Sequence, residues 1–255
     1  MTVIDWQQST RPQLSAAREA DAIVVVPLGA CEQHGPHLPG GTDNLLVASI
    51  ARAAAERASV TCPIVITPTV SFGQSRHHHN FGPTLSITSR TLEHVLHDLG
   101  TSVFRSGFRR LLFLNGHGGN AAVIEVVAAE LATDQAVVVG AASYWKVAST
   151  ELQRTGHVEA GRPSPGHAGH FETSLMLATH PDVVDMSAIS EDASHQEATH
   201  PDTYRLEPRW WNWSQQGYSD HPATAGADWG GRAFTVIADA VSEVFTTMQR
   251  HPLER

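Results

Sequence analysis

The chain has 255 residues, 41% of them hydrophobic and 17% charged, enough to bury a core and too apolar for a disordered segment. A formal charge of −9, from 17 Lys+Arg against 26 Asp+Glu, argues against a nucleic-acid backbone as the main partner. Cys31 and Cys62 make no disulfide framework, no apolar run approaches the about 18–20 residues of a membrane span, and residues 1–11 lack a basic region followed by an apolar core, so a cytoplasmic protein without a membrane partner is expected.

In chain order, residues 23–27, 64–67 and 111–114 are short β-branched or aliphatic runs ended by turn residues, and read as buried parallel strands. Residues 136–140 make a fourth. Helical spacing of apolar residues marks 44–57, 91–104 and 121–132 between them, and 171–179 and 231–249 after them. Strand alternating with helix predicts a parallel sheet covered on both faces. The whole of 1–255 reads as one domain. Segments 149–169 and 186–230 lack clear periodicity; the second holds Trp210, Trp211, Trp213 and Trp229. Loops of that length pack over a site, or form an oligomer contact or satellite core.

Four motifs carry chemistry. After the first strand comes Glu32-Gln-His34, with Asp43 nine residues beyond His34. Residues i and i+2 of an extended segment point the same way, so Glu32 and His34 can reach one point. Carboxylate, imidazole and carboxylate suit Zn²⁺, Mn²⁺ or Fe²⁺, although Asp43 also stands where a helix N-cap would. After the second strand lies His77-His78-His79. Three adjacent histidines cannot all aim at one ion; His78 is kept as a substrate contact or a support for the site, against a polar surface loop or an adventitious metal patch. After the third strand, Asn115-Gly-His117-Gly-Gly-Asn120 opens a helix. It lacks the Lys-Ser/Thr of a phosphate loop and the spacing of a dinucleotide fingerprint, so His117 reads as a ligand. The fourth motif, Gly166-His167-Ala-Gly-His170-Phe-Glu172, places Glu172 on the face of Leu175 and Met176, where a carboxylate is costly unless paired or metal-bound. His167 in the loop before it suits proton transfer. Sites in open parallel sheets form at the carboxyl ends of strands, so motifs one to three should converge there.

These motifs, from about residue 22 to 182 with a weaker echo at 217–232, resemble the creatininase family of metal hydrolases. The resemblance implies a three-layer α/β/α sandwich with a mainly parallel sheet, assembled as a homo-oligomer, commonly a hexamer. It implies two divalent ions per chain: Glu32 and His117 on one, His34 on the other, Asp43 bridging, and His167 as the proton-transfer histidine. Creatininase carries a metal-binding glutamate two residues after the third-motif histidine; here that residue is Gly119, which leaves Glu172 as the remaining carboxylate. The usual Glu-His of the second motif reads His77-His78, Phe-Pro-Gly-Thr reads Phe81-Gly82-Pro83-Thr84, and Gly166 replaces an acidic residue. These departures weigh against creatinine itself as substrate.

The expectation is a dinuclear metal-dependent hydrolase of a C–N bond in a small cyclic amide, lactam or formamide. Trp145 or the 210–213 tryptophans would wall a flat substrate. The alternatives are hydrolytic ring opening of a cyclic keto-polyol, or a non-catalytic metal- or ligand-binding member of the fold.

Overall fold

The computed structural model describes residues 3–133, 136–157, 166–189 and 216–253. Among these residues, five strands form one parallel sheet: β1 (Ile4–Asp5), β2 (Ile23–Leu28), β3 (Ile64–Ile66), β4 (Arg110–Asn115) and β5 (Val138–Ser143), in spatial order β1-β3-β2-β4-β5. Among the described residues, eight α-helices accompany them: α1 (Arg11–Glu19), α2 (Thr42–Ala58), α3 (Ser89–Arg105), α4 (Ala121–Thr133), α5 (Tyr144–Val147), α6 (Ser149–Arg154), α7 (His170–Thr179) and α8 (Ala227–Arg250).

Strand alternation splits the core in two. Ile23, Val25, Ile64, Ile66, Leu112 and Leu114 face α2 and α5–α8. Val24, Val26, Leu28, Val65, Leu111 and Phe113 face α1, α3 and α4. The result is the expected α/β/α sandwich. Every residue of β2 and of β4 is buried, as befits strands covered on both faces. From β2 the chain runs to β3 on one side, then crosses to β4 on the other. The strand order therefore reverses between β2 and β4, and the crevice beyond their carboxyl ends is the natural ligand position.

Three expectations need correction. β1 has only two residues, too short for a hydrophobic run to reveal. β5 covers Val138–Ser143 rather than 136–140, because its Gly-Ala-Ala-Ser end has no β-branched residue to mark it. Segment 149–169, read as aperiodic, begins with α6, a six-residue helix with one buried side chain, Leu152. Trp210, Trp211 and Trp213 lie outside the described residues.

A candidate dinuclear metal centre

Motif one leaves β2 through Gly29, where a Cβ would stand 2.3 Å from Asn44 Oδ1; only glycine lets α2 approach this closely. The Glu32 amide donates to the Gly40 carbonyl at 2.9 Å, which turns the loop back towards α2. Asp43 enters on the first turn of that helix, where Gly41 takes the N-cap position. The alternative reading of Asp43 as the N-cap is therefore set aside.

Motif three is held by asparagines. Asn115 Oδ1 accepts from the His117 amide at 3.0 Å, and its Nδ2 donates to the His117 carbonyl at 2.7 Å. Asn120 accepts from the Gln74 amide and donates to the Gly29 carbonyl, each at 3.0 Å, so it joins three motifs. In motif four, Gly166 (φ +86°) and Ala168 (φ +49°) turn the chain through left-handed conformations before α7. Such strain in a non-glycine residue concentrates at functional sites. The Ala168 amide donates to Glu172 Oε2 at 2.6 Å. His37 meets Thr173 Oγ1 at 2.9 Å and pins motif one to α7.

The four motifs meet in one buried cluster. Asp43 stands at its centre, with Oδ1 3.2 Å from His34 Nε2 and Oδ2 3.2 Å from His117 Nδ1. Glu32 Oε1 lies 3.2 Å from the same His117 Nδ1. Glu172 Oε2 lies 3.9 Å from His34 Nε2. Glu32, Asp43 and His117 thus form one group able to hold an ion, and His34, Asp43 and Glu172 a second. His167 joins Glu32 and His34 in a third such group, its Nδ1 3.7 Å from Glu32 Oε1.

Hydrogen-bond partners decide which nitrogen each histidine presents. His34 Nδ1 donates to the Glu32 carbonyl at 3.1 Å, so Nε2 is the atom turned to the carboxylates. His117 Nε2 donates to the Gln74 carbonyl at 2.9 Å, which leaves Nδ1. His167 Nε2 donates to the Gln33 carbonyl at 2.9 Å, which again leaves Nδ1. Tying one nitrogen to a carbonyl and baring the other is the usual orientation of a metal-binding imidazole.

Charge is the other requirement. Glu32, Asp43 and Glu172 are all buried, and among the described residues no lysine or arginine pairs with them. Buried carboxylates without such partners call for protons or cations. Glu32 Oε2 and Asp43 Oδ2 also lack a hydrogen-bond donor. Burial works against a charged Glu32, but His117 and then His78 outweigh it and hold the carboxyl well below its usual range. Burial lifts Glu172 to about 7, with His34 opposing and Asp43 reinforcing. Burial opposes a charge on His34 too, yet Asp43 and Glu172 carry it up to about 10. His167 is driven well below its usual value by burial, then by His34 and His78. Donor set, bared nitrogens and orphaned oxygens all fit divalent cations.

The creatinine amidohydrolase family description matches residues 7–245. The chain belongs to the creatininase family. It is 30% identical to creatinine amidohydrolase of Pseudomonas putida, over 88% of this chain and 90% of that one. It is 36% identical to the mycofactocin precursor peptide peptidase of Mycolicibacterium smegmatis, over 64% of this chain but only 60% of that protein's length. A third relative, the 3-dehydro-scyllo-inosose hydrolase of Thermotoga maritima, is 27% identical over 46% of this chain and 37% of its own. Among solved structures, “Creatininase Mn” and a creatininase mutant of “Zn-Zn type” each align with a TM-score of 0.82 and 26% identity, over 98% of this chain and 100% of theirs. The chain thus has the fold of that family and buried groups of donors able to hold an ion.

His78 is buried, with Nε2 3.0 Å from Glu32 Oε1, and so supports a carboxylate. Trp145 packs partly buried against the core, its ring edge-on to Tyr144. Tyr144 rather than Trp145 feels the cluster: burial, then Glu172 and Asp43, push its phenol well above the usual value. Sequence reasoning passed over Gln33, Asn115, Asn120 and Tyr144. The asparagines and Gln33 stand inside the quoted motifs, and their amides were the available signal.

Proposed function

We infer that this creatininase-family member is a two-metal hydrolase of C–N bonds in small cyclic amides, lactams or formamides. The observation that carries the reading is Asp43, whose two oxygens are directed to imidazoles of two separate ligand groups. Glu32, Asp43 and His117 would hold one divalent ion and His34, Asp43 and Glu172 the other, and the pair would supply Lewis acidity towards a water and a carbonyl oxygen. Zn²⁺, Mn²⁺ and Fe²⁺ all suit this mixed donor set.

His167 does the proton work. Burial and the neighbouring His34 and His78 favour its neutral form, so Nδ1 can accept a proton from the attacking water. Nε2 stays bonded to the Gln33 carbonyl, so the same Nδ1 delivers the proton to the departing nitrogen. Without that proton an amine leaves poorly. The His34 and His167 rings lie 4.3 Å apart, which keeps the shuttle beside the metal-facing nitrogens. Tyr144, held protonated, remains a donor at the buried side.

The name of the Mycolicibacterium smegmatis relative favours a second substrate class, the amide bond of a peptide. A keto-polyol, suggested by the third relative, would use the same proton transfer on a carbonyl ring opening. No helix of the described residues is long and apolar enough to cross a membrane. A cytoplasmic homo-hexamer acting on a small molecule completes the proposal, and light scattering on the purified chain tests the assembly.

The deciding experiment is elemental analysis of untagged protein purified without added metal or chelator, followed by a substrate panel of lactams, formamides, short peptides and keto-polyols. About two ions per chain, with turnover of a lactam or formamide, is expected. Substoichiometric metal that Zn²⁺, Mn²⁺ and Fe²⁺ all fail to restore would refute the site and favour a non-catalytic binding protein.

A further inference from the structure

Gln33 stands between two residues of the proposed centre, and its side chain is buried. Its amide orientation is fixed by two backbone groups. Oε1 accepts from the Gly35 amide at 3.0 Å, and Nε2 donates to the Gly217 carbonyl at 3.0 Å. Turning the amide over would set oxygen against oxygen and N–H against N–H at both places. Gly217 belongs to a strap 184 positions along the chain from Gln33, and a Cβ on it would meet Gln33 Oε1 at 2.2 Å, so a glycine with φ +80° is required.

The remaining N–H of that amide has two imidazoles near it, His167 Nε2 at 3.2 Å and His78 Nδ1 at 3.1 Å. His167 Nε2 is closer to the Gln33 carbonyl oxygen, at 2.9 Å, and must carry a proton to satisfy it. A nitrogen that carries a proton cannot also accept one. The amide N–H therefore goes to His78 Nδ1, which is left without a proton of its own. The His78 proton is then on Nε2, 3.0 Å from Glu32 Oε1.

We propose that Gln33 is a positioning residue for the metal centre: its side-chain amide selects the Nε2–H form of His78, and His78 thereby fixes Glu32 through Oε1, the oxygen that also stands 3.2 Å from His117 Nδ1. The same residue selects the Nε2–H form of His167 through its backbone carbonyl. One glutamine thus sets two imidazoles by two separable groups. The role of Glu32 rests on the two-ion reading above; the tautomers do not.

That separation makes the test specific. Protein labelled with ¹⁵N-histidine is examined by long-range ¹H–¹⁵N NMR, as purified and again after addition of zinc. Signals of His78 and His167 are assigned by their loss in His78→Gln and His167→Gln. The native chain is expected to show Nδ1 bare and Nε2 protonated in both residues. In Gln33→Met the amide is gone but the backbone carbonyl remains, so His78 should become a mixture of forms while His167 keeps its own. In Gln33→Glu, an acceptor replaces the donor and His78 Nδ1 should gain a proton. Zinc affinity, measured by competition with a chromophoric chelator, should fall about 10–100-fold in Gln33→Met, the usual loss when a group supporting a ligand is removed.

A protonated Nδ1 on native His78 would overturn the proposal, whether or not the variants fold. So would an unchanged His78 in Gln33→Met, or equal disturbance of both histidines, which would mark a packing role only. A native zinc affinity in Gln33→Met would overturn the link to Glu32. Protein that takes up no zinc in any form would sink the two-ion reading and leave the tautomer result standing.

Discussion

The absent side chain at position 119 offers the sharpest perturbation. A Cβ on Gly119 would stand 2.0 Å from the Gln74 carbonyl oxygen and 2.6 Å from His117 Nε2. Those two atoms are bonded to each other at 2.9 Å, and that bond selects the nitrogen His117 presents to the centre. Gly119→Ala must push the Gln74 carbonyl from 2.0 Å out to the 3.4 Å of ordinary contact, and the bond to His117 is lost with it. Two costs follow. Overpacking of a tight interior costs about 1–3 kcal/mol, and each kcal/mol lowers the melting temperature of a chain this size by about 2–4 °C. Loss of the bond supporting His117 should weaken metal binding about 10–100-fold. Gly118 is the control: a Cβ there meets nothing within 4 Å, so Gly118→Ala should leave both quantities unchanged. Thermal unfolding of the metal-free variants and zinc competition titration read the two costs separately. Native melting and native zinc affinity in Gly119→Ala would refute the reasoning. The same geometry predicts that Gly119→Glu, the creatininase residue, fails to rescue a Glu172→Gln protein.

Other outcomes follow from the cluster. Asp43→Ala should lose metal and activity together, because Asp43 serves both ligand groups; elemental analysis beside a turnover assay checks it. Glu172→Gln should lower metal content from about two ions per chain towards one, since Glu172 belongs only to the His34 group. His167→Ala should lose at least ~100-fold in kcat, the lower range for a removed general acid or base, with metal content retained, and full activity would end the proton-shuttle role. Metal uptake should release protons at neutral pH, because metal-free protein holds them on His34 (raised to about 10) and partly on Glu172 (raised to about 7). Affinity should rise with pH through both values, which calorimetry in buffers of different ionisation heat detects. The sign reverses for stability of the metal-free chain. A folded pKa above the unfolded one favours the fold at low pH, so the Glu172 contribution is complete below 4.5 and lost through about 7, and that of His34 is complete below 6.5 and lost through about 10.

The residues of the cluster were legible because their chemistry is costly anywhere else. Glu32, His34 and His117 follow apolar strands whose ends the parallel sheet brings together, and Asp43 and Glu172 join them from the first turns of α2 and α7. Their supports were not legible. The carbonyls of Glu32, Gln33 and Gln74 that orient three imidazoles belong to the backbone, which carries no sequence signal. Gln33 stands between Glu32 and His34, and it reaches His78 and His167 because both come from distant segments folded beside it. Trp145 was chosen by residue type alone, and it packs partly buried against the core. Its neighbour Tyr144, at the end of β5, is the one whose phenol senses the carboxylates.

Gly119 and Glu172 are best understood together. The space a side chain would need at 119 is filled by the Gln74 backbone and side chain. That filling puts the Gln74 carbonyl on His117 and the Gln74 amide on Asn120, which in turn holds Gly29 at the start of motif one. A glutamate at 119 would break this lattice of backbone contacts, so the last carboxylate has to arrive from elsewhere. It arrives on α7, whose Ser174 carbonyl would lie 1.9 Å from a Cβ at Gly230 of α8. The position of Glu172 therefore depends on how closely the C-terminal helix packs against α7. A creatininase-family site of this form couples its second ligand group to the α7–α8 contact, and widening that contact by Gly230→Ala should disturb the His34 group before the His117 group.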